Sequence, residues 1–227
     1  MTLLPPSQTW LEAIPDSLLP IFISLSFLKG KAYALTGLLL WGDQAGLATA
    51  KMLCESIIDT YAQCRREDWR WFENTMTYCS GILPLALFCA HEKANEKQAL
   101  IAAVESLHFL LSETMKDGIC QPIGCKGWYP KGGVPAEFDE QPVEACSTML
   151  ACLAAYRQTS NLKYRDAAIR CYRWYLGDNS HHMSLIDPET GGCRDGLIKD
   201  GINQNEGAES IVCWLIAHLM AIQEKLL

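Results

Sequence analysis

A chain of 227 residues, half of them apolar and a fifth charged, is long enough for one domain with a sizeable core and has an ordinary globular composition. Its net charge of -7 leaves no basic surplus to neutralise phosphates, which excludes a general nucleic-acid binder. Eleven cysteines form an odd set without a CxxC pair, so they read as buried free thiols in a reducing cytoplasm rather than as a zinc site.

Residues 1–15 carry Pro5, Pro6 and Ser7, lack the basic stretch of a signal peptide, and read as an irregular lead-in. The apolar run Leu18–Leu28 is interrupted by Pro20 and is too short to span a bilayer, so it reads as a core helix over Ser17–Leu28, broken at Gly30. A second apolar helix covers Lys31–Trp41. A third runs from Gln44 to Arg65, with Leu47, Ala50, Cys54, Ile57, Ile58 and Tyr61 at helical spacing.

After the aromatic and charged stretch Arg65–Tyr78, the helix predicted over Met76–Ala94 is apolar nearly all round, which indicates burial on most sides. Glu96–Lys116 is two-faced, with a stripe of Leu100, Val104, Leu107 and Leu111. The pattern then repeats. A Gly/Pro-rich loop, Asp117–Glu140, leads into the apolar helix Gln141–Thr159. The amphipathic helix Asn161–Leu176 follows, and the long loop Asp178–Glu206 leads into the apolar helix Gly207–Leu226.

QPVEA at Gln141 and EGAES at Glu206 begin 65 residues apart, and the same step back from Gln141 lands on Met76. A fixed period of loop, inner helix, turn and outer helix is the signature of a stacked architecture. The expected fold is therefore all-α, a single (α/α) toroid or barrel domain over residues 1–227 with about seven to nine helices. In such a ring the loops that precede inner helices gather at one end. Asp68–Thr75, Asp117–Glu140 and Asp178–Glu206 should line one mouth.

Five stretches resemble a known family. DWRWFENTMTYCSGILPLAL, FDEQPVEACSTMLACLAAY, LGDN, LIDPETGGCRDGL and INQNEGAES are similar, in the same order, to motifs of α/α-toroid domains found beside or fused to retaining GT-B glycosyltransferases, and near mannoside phosphorylase genes. The resemblance covers about Trp69–Met220. It implies an (α/α) barrel, an association with sugar metabolism, and a glycosyltransferase as a possible partner. The family pattern has Asp-Asn after Thr-Tyr, where this chain has Cys79-Ser80. The chain is also short for a complete six-hairpin ring, so the barrel is either partial or completed by a partner, and an oligomer is possible.

The candidate catalytic residues are the carboxylates Glu144, Glu209, Asp139 and Asp195. Glycoside hydrolysis needs two carboxyl groups roughly 5–10 Å apart. Carboxylates at a helix start also cap free N–H groups, and that structural role stands beside the catalytic one. Candidate sugar contacts are Trp69, Trp71, Glu73, Tyr78, Trp128, Gln141, Arg194, Asn203, Asn205 and Glu206. Aromatic faces suit the C–H surfaces of sugars and equally plug the ends of barrels. Arg194 either binds an anionic group or forms an internal ion pair. No metal or cofactor is expected, since His181-His182 lacks companion ligands. The sequence thus points to a sugar or oligosaccharide as ligand. A glycosidase-like enzyme, a non-catalytic sugar-binding or scaffolding subunit, and an epimerase or isomerase are the functions in contention.

Overall fold

We describe the fold from a computed structural model, over residues 18–42 and 44–227. The chain is mostly helical, and its strands are short. Helices α1 (Leu28–Trp41), α3 (Ile82–Ala94), α5 (Pro142–Thr159) and α7 (Ala208–Gln223) alternate with α2 (Gln44–Cys64), α4 (Lys97–Thr114) and α6 (Leu162–Tyr175). The first set packs in succession, α1 on α3, α3 on α5 and α5 on α7. Each member of the second set packs back on the helix before it. Among the described residues, no helix is long and apolar enough to cross a membrane.

The helix assignments hold at the level of segments and shift at their ends. Gly30 lies inside α1 rather than ending a helix, and the break falls at 24–27. One interior glycine costs a helix about 1 kcal/mol, which packing readily offsets. At the break, the Ser24 hydroxyl donates to the Ile21 carbonyl at 2.8 Å, satisfying a backbone group that a continuing helix would have used. Ser17, the expected start of the first helix, lies outside the described residues, as does the lead-in 1–15.

Helix α3 starts at Ile82, later than the expected Met76. Thr75–Met76 (β1) instead pairs antiparallel with Tyr129–Pro130, and Cys79 takes a left-handed conformation with φ 53°. Two further ribbons, Met115–Lys116 with Ile119–Cys120 and Gly196–Ile198 with Gly201–Asn203, close turns in the later loops.

Burial follows the two-layer pattern. Helix α5 is buried from Pro142 to Ala155 except at Leu150. Helix α6 buries Tyr164, Ala168, Cys171 and Tyr175, as its periodicity predicts, together with Trp174. In α4 the buried line runs through Ala99, Ala103, Ser106, Leu107 and Leu110, and so takes in only Leu107 of the leucine stripe. Leu100, Val104 and Leu111 flank it half-buried, because small residues sit where the helices approach most closely. Helix α7 departs most from expectation. Ala217 and Ala221 are buried, but Val212, Leu215, Leu219 and Ile222 are at least half exposed. Its all-round hydropathy therefore does not correspond to burial on all sides.

The approach of α3 to α5 has no spare room. A Cβ built on Gly81 would lie 2.2 Å from the Ser147 carbonyl carbon and 2.4 Å from the Thr148 nitrogen, both backbone atoms. Gly37, inside α1, has nothing within 4 Å of its would-be Cβ. In urea unfolding, Gly81→Ala should lose about 2 kcal/mol or more, since overpacking costs 1–3 and here no side chain can yield. Gly37→Ala should gain about 0.5–1 kcal/mol from helix propensity alone. Equal effects at the two positions would contradict this packing.

Candidate functional site

The loops before α3, α5 and α7 are tied together by backbone. Thr75 and Met76 pair with Pro130 and Tyr129, joining the first loop to the second. Glu140 and Leu197 exchange hydrogen bonds, Glu140 N–H to Leu197 at 2.9 Å and Leu197 N–H to Glu140 at 3.0 Å, joining the second to the third. Gly196 makes that exchange possible. It has φ 129°, and a Cβ there would lie 2.0 Å from the Glu140 carbonyl oxygen.

The exchange sets the neighbours of Glu140 and Leu197 side by side. Asp139 and Gln141 on one side, and Asp195 and Gly196 on the other, line a cavity of about 290 Å³ completed by Asn203 and Glu209. Five of the fourteen candidate site residues thus meet in one cavity, drawn from the starts of two helices. Tyr78 joins them indirectly, by donating its hydroxyl to Glu209 Oε2.

The carboxylates differ in how much of their hydrogen-bonding capacity the fold consumes. Asp195 is fully engaged. Its Oδ1 accepts from Gly207 N–H at 2.7 Å and from Ser210 Oγ at 2.6 Å, and its Oδ2 accepts from Asn205 Nδ2. These bonds hold its pKa below the ordinary range against a burial that pushes the other way. Asp195 therefore caps the start of α7 from outside the helix.

Glu144 is buried, and both its oxygens accept backbone N–H groups: Oε1 from Cys79, and Oε2 from Ser80 at 3.0 Å. It caps the neighbouring turn before α3. Burial pushes its pKa up to about 7 despite these bonds. Asp139 meets the Lys126 ammonium at 3.2 Å. Glu209, at the start of α7, is exposed and takes only the Tyr78 hydroxyl among the described residues.

The remaining candidates are placed as follows. Trp69 and Trp71 are almost wholly buried. Trp69 donates to the Glu73 carbonyl at 2.8 Å and packs on Phe109 and Tyr129, so both rings plug the interior rather than face a ligand. Trp128 is half-buried in a left-handed conformation at φ 56°. Glu73 pairs with Lys29 at 3.3 Å. Arg194 forms the internal ion pairs, with Asp187 and with Glu206 at 2.9 Å, and also donates to the Gln204 carbonyl at 2.7 Å. Asn203 accepts from Asn205 N–H at 3.1 Å. No group of three or more His, Cys, Asp or Glu side chains among the described residues is placed to hold a metal.

Glu140 is the important residue that site reasoning passed over. Its Oε2 accepts from Trp174 Nε1 at 2.6 Å and its Oε1 from Ser180 Oγ at 2.9 Å. Burial raises its pKa to about 7. Its place next to Asp139 was visible in the sequence, but its partners lie 34 and 40 residues away, beyond any local pattern. A comparison with protein-family models finds no match, and a comparison with curated proteins finds none either.

The raised pKa of Glu140 predicts a pH dependence. Between about 4.5 and about 7 the folded chain holds a proton that the unfolded chain has released, so stability falls as pH rises through that window. Glu140→Gln can keep both partners, accepting from Trp174 and donating to the Ser180 hydroxyl, while removing the ionisation. Relative to wild type, its unfolding free energy should therefore rise across the window, by on the order of 2 kcal/mol. Urea titrations at pH 5 and pH 8 read this directly, and an unchanged difference would refute it.

Proposed function

We propose that this protein is a carbohydrate-active enzyme of glycosidase type, built on a partial (α/α) ring of helical hairpins, with Asp139 and Glu209 as its carboxylate pair. The observation that carries this reading is the cavity between the starts of α5 and α7, where the two carboxylates, Gln141 and Asn203 share one lining. Its volume of about 290 Å³ lies at the lower end of ligand sites, which suits one sugar ring better than a long chain. Gln141 and Asn203 supply amide donors and acceptors for hydroxyls. Glu209, exposed and lightly engaged, is the group that exchanges a proton with the glycosidic oxygen. Asp139, held beside Lys126, serves as the carboxylate opposite it. The family resemblance of the five motifs supports the same substrate class.

A second reading is a non-catalytic sugar-binding subunit that works beside a glycosyltransferase. It is favoured by the internal engagement of Asp195, Asn205, Arg194 and Glu206, which leaves few polar groups for chemistry.

Purified protein incubated with manno-, gluco- and xylo-oligosaccharides, with and without phosphate, separates the two. Turnover should fall about 100-fold or more in Glu209→Gln and in Asp139→Asn, the scale of one general acid or base. Glu144→Gln should act mainly on stability. Turnover that survives both substitutions would remove the assigned pair. Saturable sugar binding without turnover would support the second reading, and neither binding nor turnover would overturn both.

A further inference from the structure

Helices α1, α3, α5 and α7 pack in series, and the last of them leaves one face open. Val212, Leu215, Ile216, Leu219 and Ile222 on α7 are 39–63% exposed and form one stripe at helical spacing. No Asp, Glu, Lys or Arg lies between Ser210 and Gln223. One 65-residue period earlier, Val212, Ile216 and Leu219 correspond to Ser147, Ala151 and Ala154 of α5, and all three are buried. Helix α7 thus carries large apolar side chains on the face that its counterpart has covered.

At the other end of the series, α1 and residues 18–25 form an apolar groove of about 500 Å³. Leu18, Ile21, Phe22, Leu25, Tyr33 and Trp41 line it, and no charged residue does. Phe27, just before α1, and Leu40, within it, are 80% and 75% exposed. We propose that the α7 stripe of one copy of this chain seats in the α1 groove of a second copy, and the second copy's stripe in the first copy's groove, to give a two-fold dimer. This inference is independent of the sugar reading.

Area favours this occupant over one that uses α7 alone. A stable interface buries about 800 Å² on each partner. The α7 stripe, at its fractional exposures, offers only about 500 Å², the size of an ordinary surface patch. With Ile21, Ile23, Phe27, Tyr33 and Leu40, each copy offers roughly 1,000 Å², so a contact that uses both faces at once reaches the required size. Two-fold symmetry provides such a contact, because residue i meets j wherever j meets i. Charge agrees. Each copy carries a net charge of -7, so two copies approach most readily through surface that carries no charge, and the stripe and the groove lining carry none. Salt screens the repulsion and leaves the apolar contact intact, so the dimer should tighten as ionic strength rises.

Sedimentation equilibrium of the full chain tests this, at concentrations up to about 100 μM, far above a micromolar Kd. The expected mass is twice the 25.3 kDa of one chain. Leu219→Glu, on the stripe, and Ile21→Glu, in the groove, should each weaken dimerisation about 30-fold or more, the scale of one hot-spot residue. Both positions are more than half exposed, so far-UV circular dichroism should be unchanged in either variant. Mixing the two variants should restore part of the dimer, because the mixed pair joins one intact stripe to one intact groove. If either variant fails to fold, the mass of the wild type and its rise with salt decide. A wild type that stays monomeric over the whole range would overturn the proposal, whatever else then covers the two faces. So would a dimer that survives Leu219→Glu, or one that Ile21→Glu leaves intact, which is the pattern of α7 packing on α7.

Discussion

The backbone exchange between Glu140 and Leu197 is the constraint on which the candidate site depends. It is a two-bond contact between loops that otherwise lead into different helices. Two features hold it in place. Gly196 lets the strands approach to a distance that any Cβ would block. Trp174 and Ser180 anchor the Glu140 side chain on the opposite side of the same residue. The cavity follows from this geometry, because its walls are the sequence neighbours of the two bonded residues. Burying a carboxyl at that point has an electrostatic cost, visible in the raised pKa of Glu140, and two strong donors offset part of it.

The repeat gives a second level of order. Cys79, Glu144 and Glu209 stand one period apart, and the two glutamates both reach toward the first unit. Glu144 takes the amides of Cys79 and Ser80, and Glu209 takes the hydroxyl of Tyr78. One register position therefore plays three roles. In the first unit it is a thiol 3.0 Å from the Tyr33 hydroxyl, and its backbone N–H donates to Glu144. In the second it is a buried carboxylate that organises the turn before α3. In the third it is a carboxylate left open to solvent. An acid in place of Cys79 would stand against the Glu144 carboxylate, which already takes the Cys79 N–H.

Much of the helical order was legible in the sequence because hydropathy reports it directly. The starts of α2, α4, α5, α6 and α7 follow from periodicity and from Pro142, Asn161 and Gly207 at their N-terminal ends. What periodicity could not supply was the partner of each polar group. Met76 belongs to the apolar run yet is drawn out of α3 by pairing with Tyr129, 53 residues later in sequence. Trp69 and Trp71 sit among charges as a sugar platform would, but their rings fill the core between loop and helix. Helix α7 shows the converse limit. Its residues are apolar all round, while only the line through Ser210, Cys213, Trp214, Ala217 and Ala221 is covered.

Counting lone pairs decides which acids remain for chemistry. A carboxyl group whose oxygens are all spent on N–H or O–H groups of the fold has little left to offer a substrate. By that measure Asp195, Glu144 and Glu140 belong to the scaffold, and Asp187 and Glu206 are neutralised by Arg194. Asp139 and Glu209 are left, each with one polar partner among the described residues, and they share the lining of one cavity. The sequence named both within a larger set because it placed acids at loop ends and helix starts. Only the hydrogen-bond pattern separates those that build the site from those able to act in it.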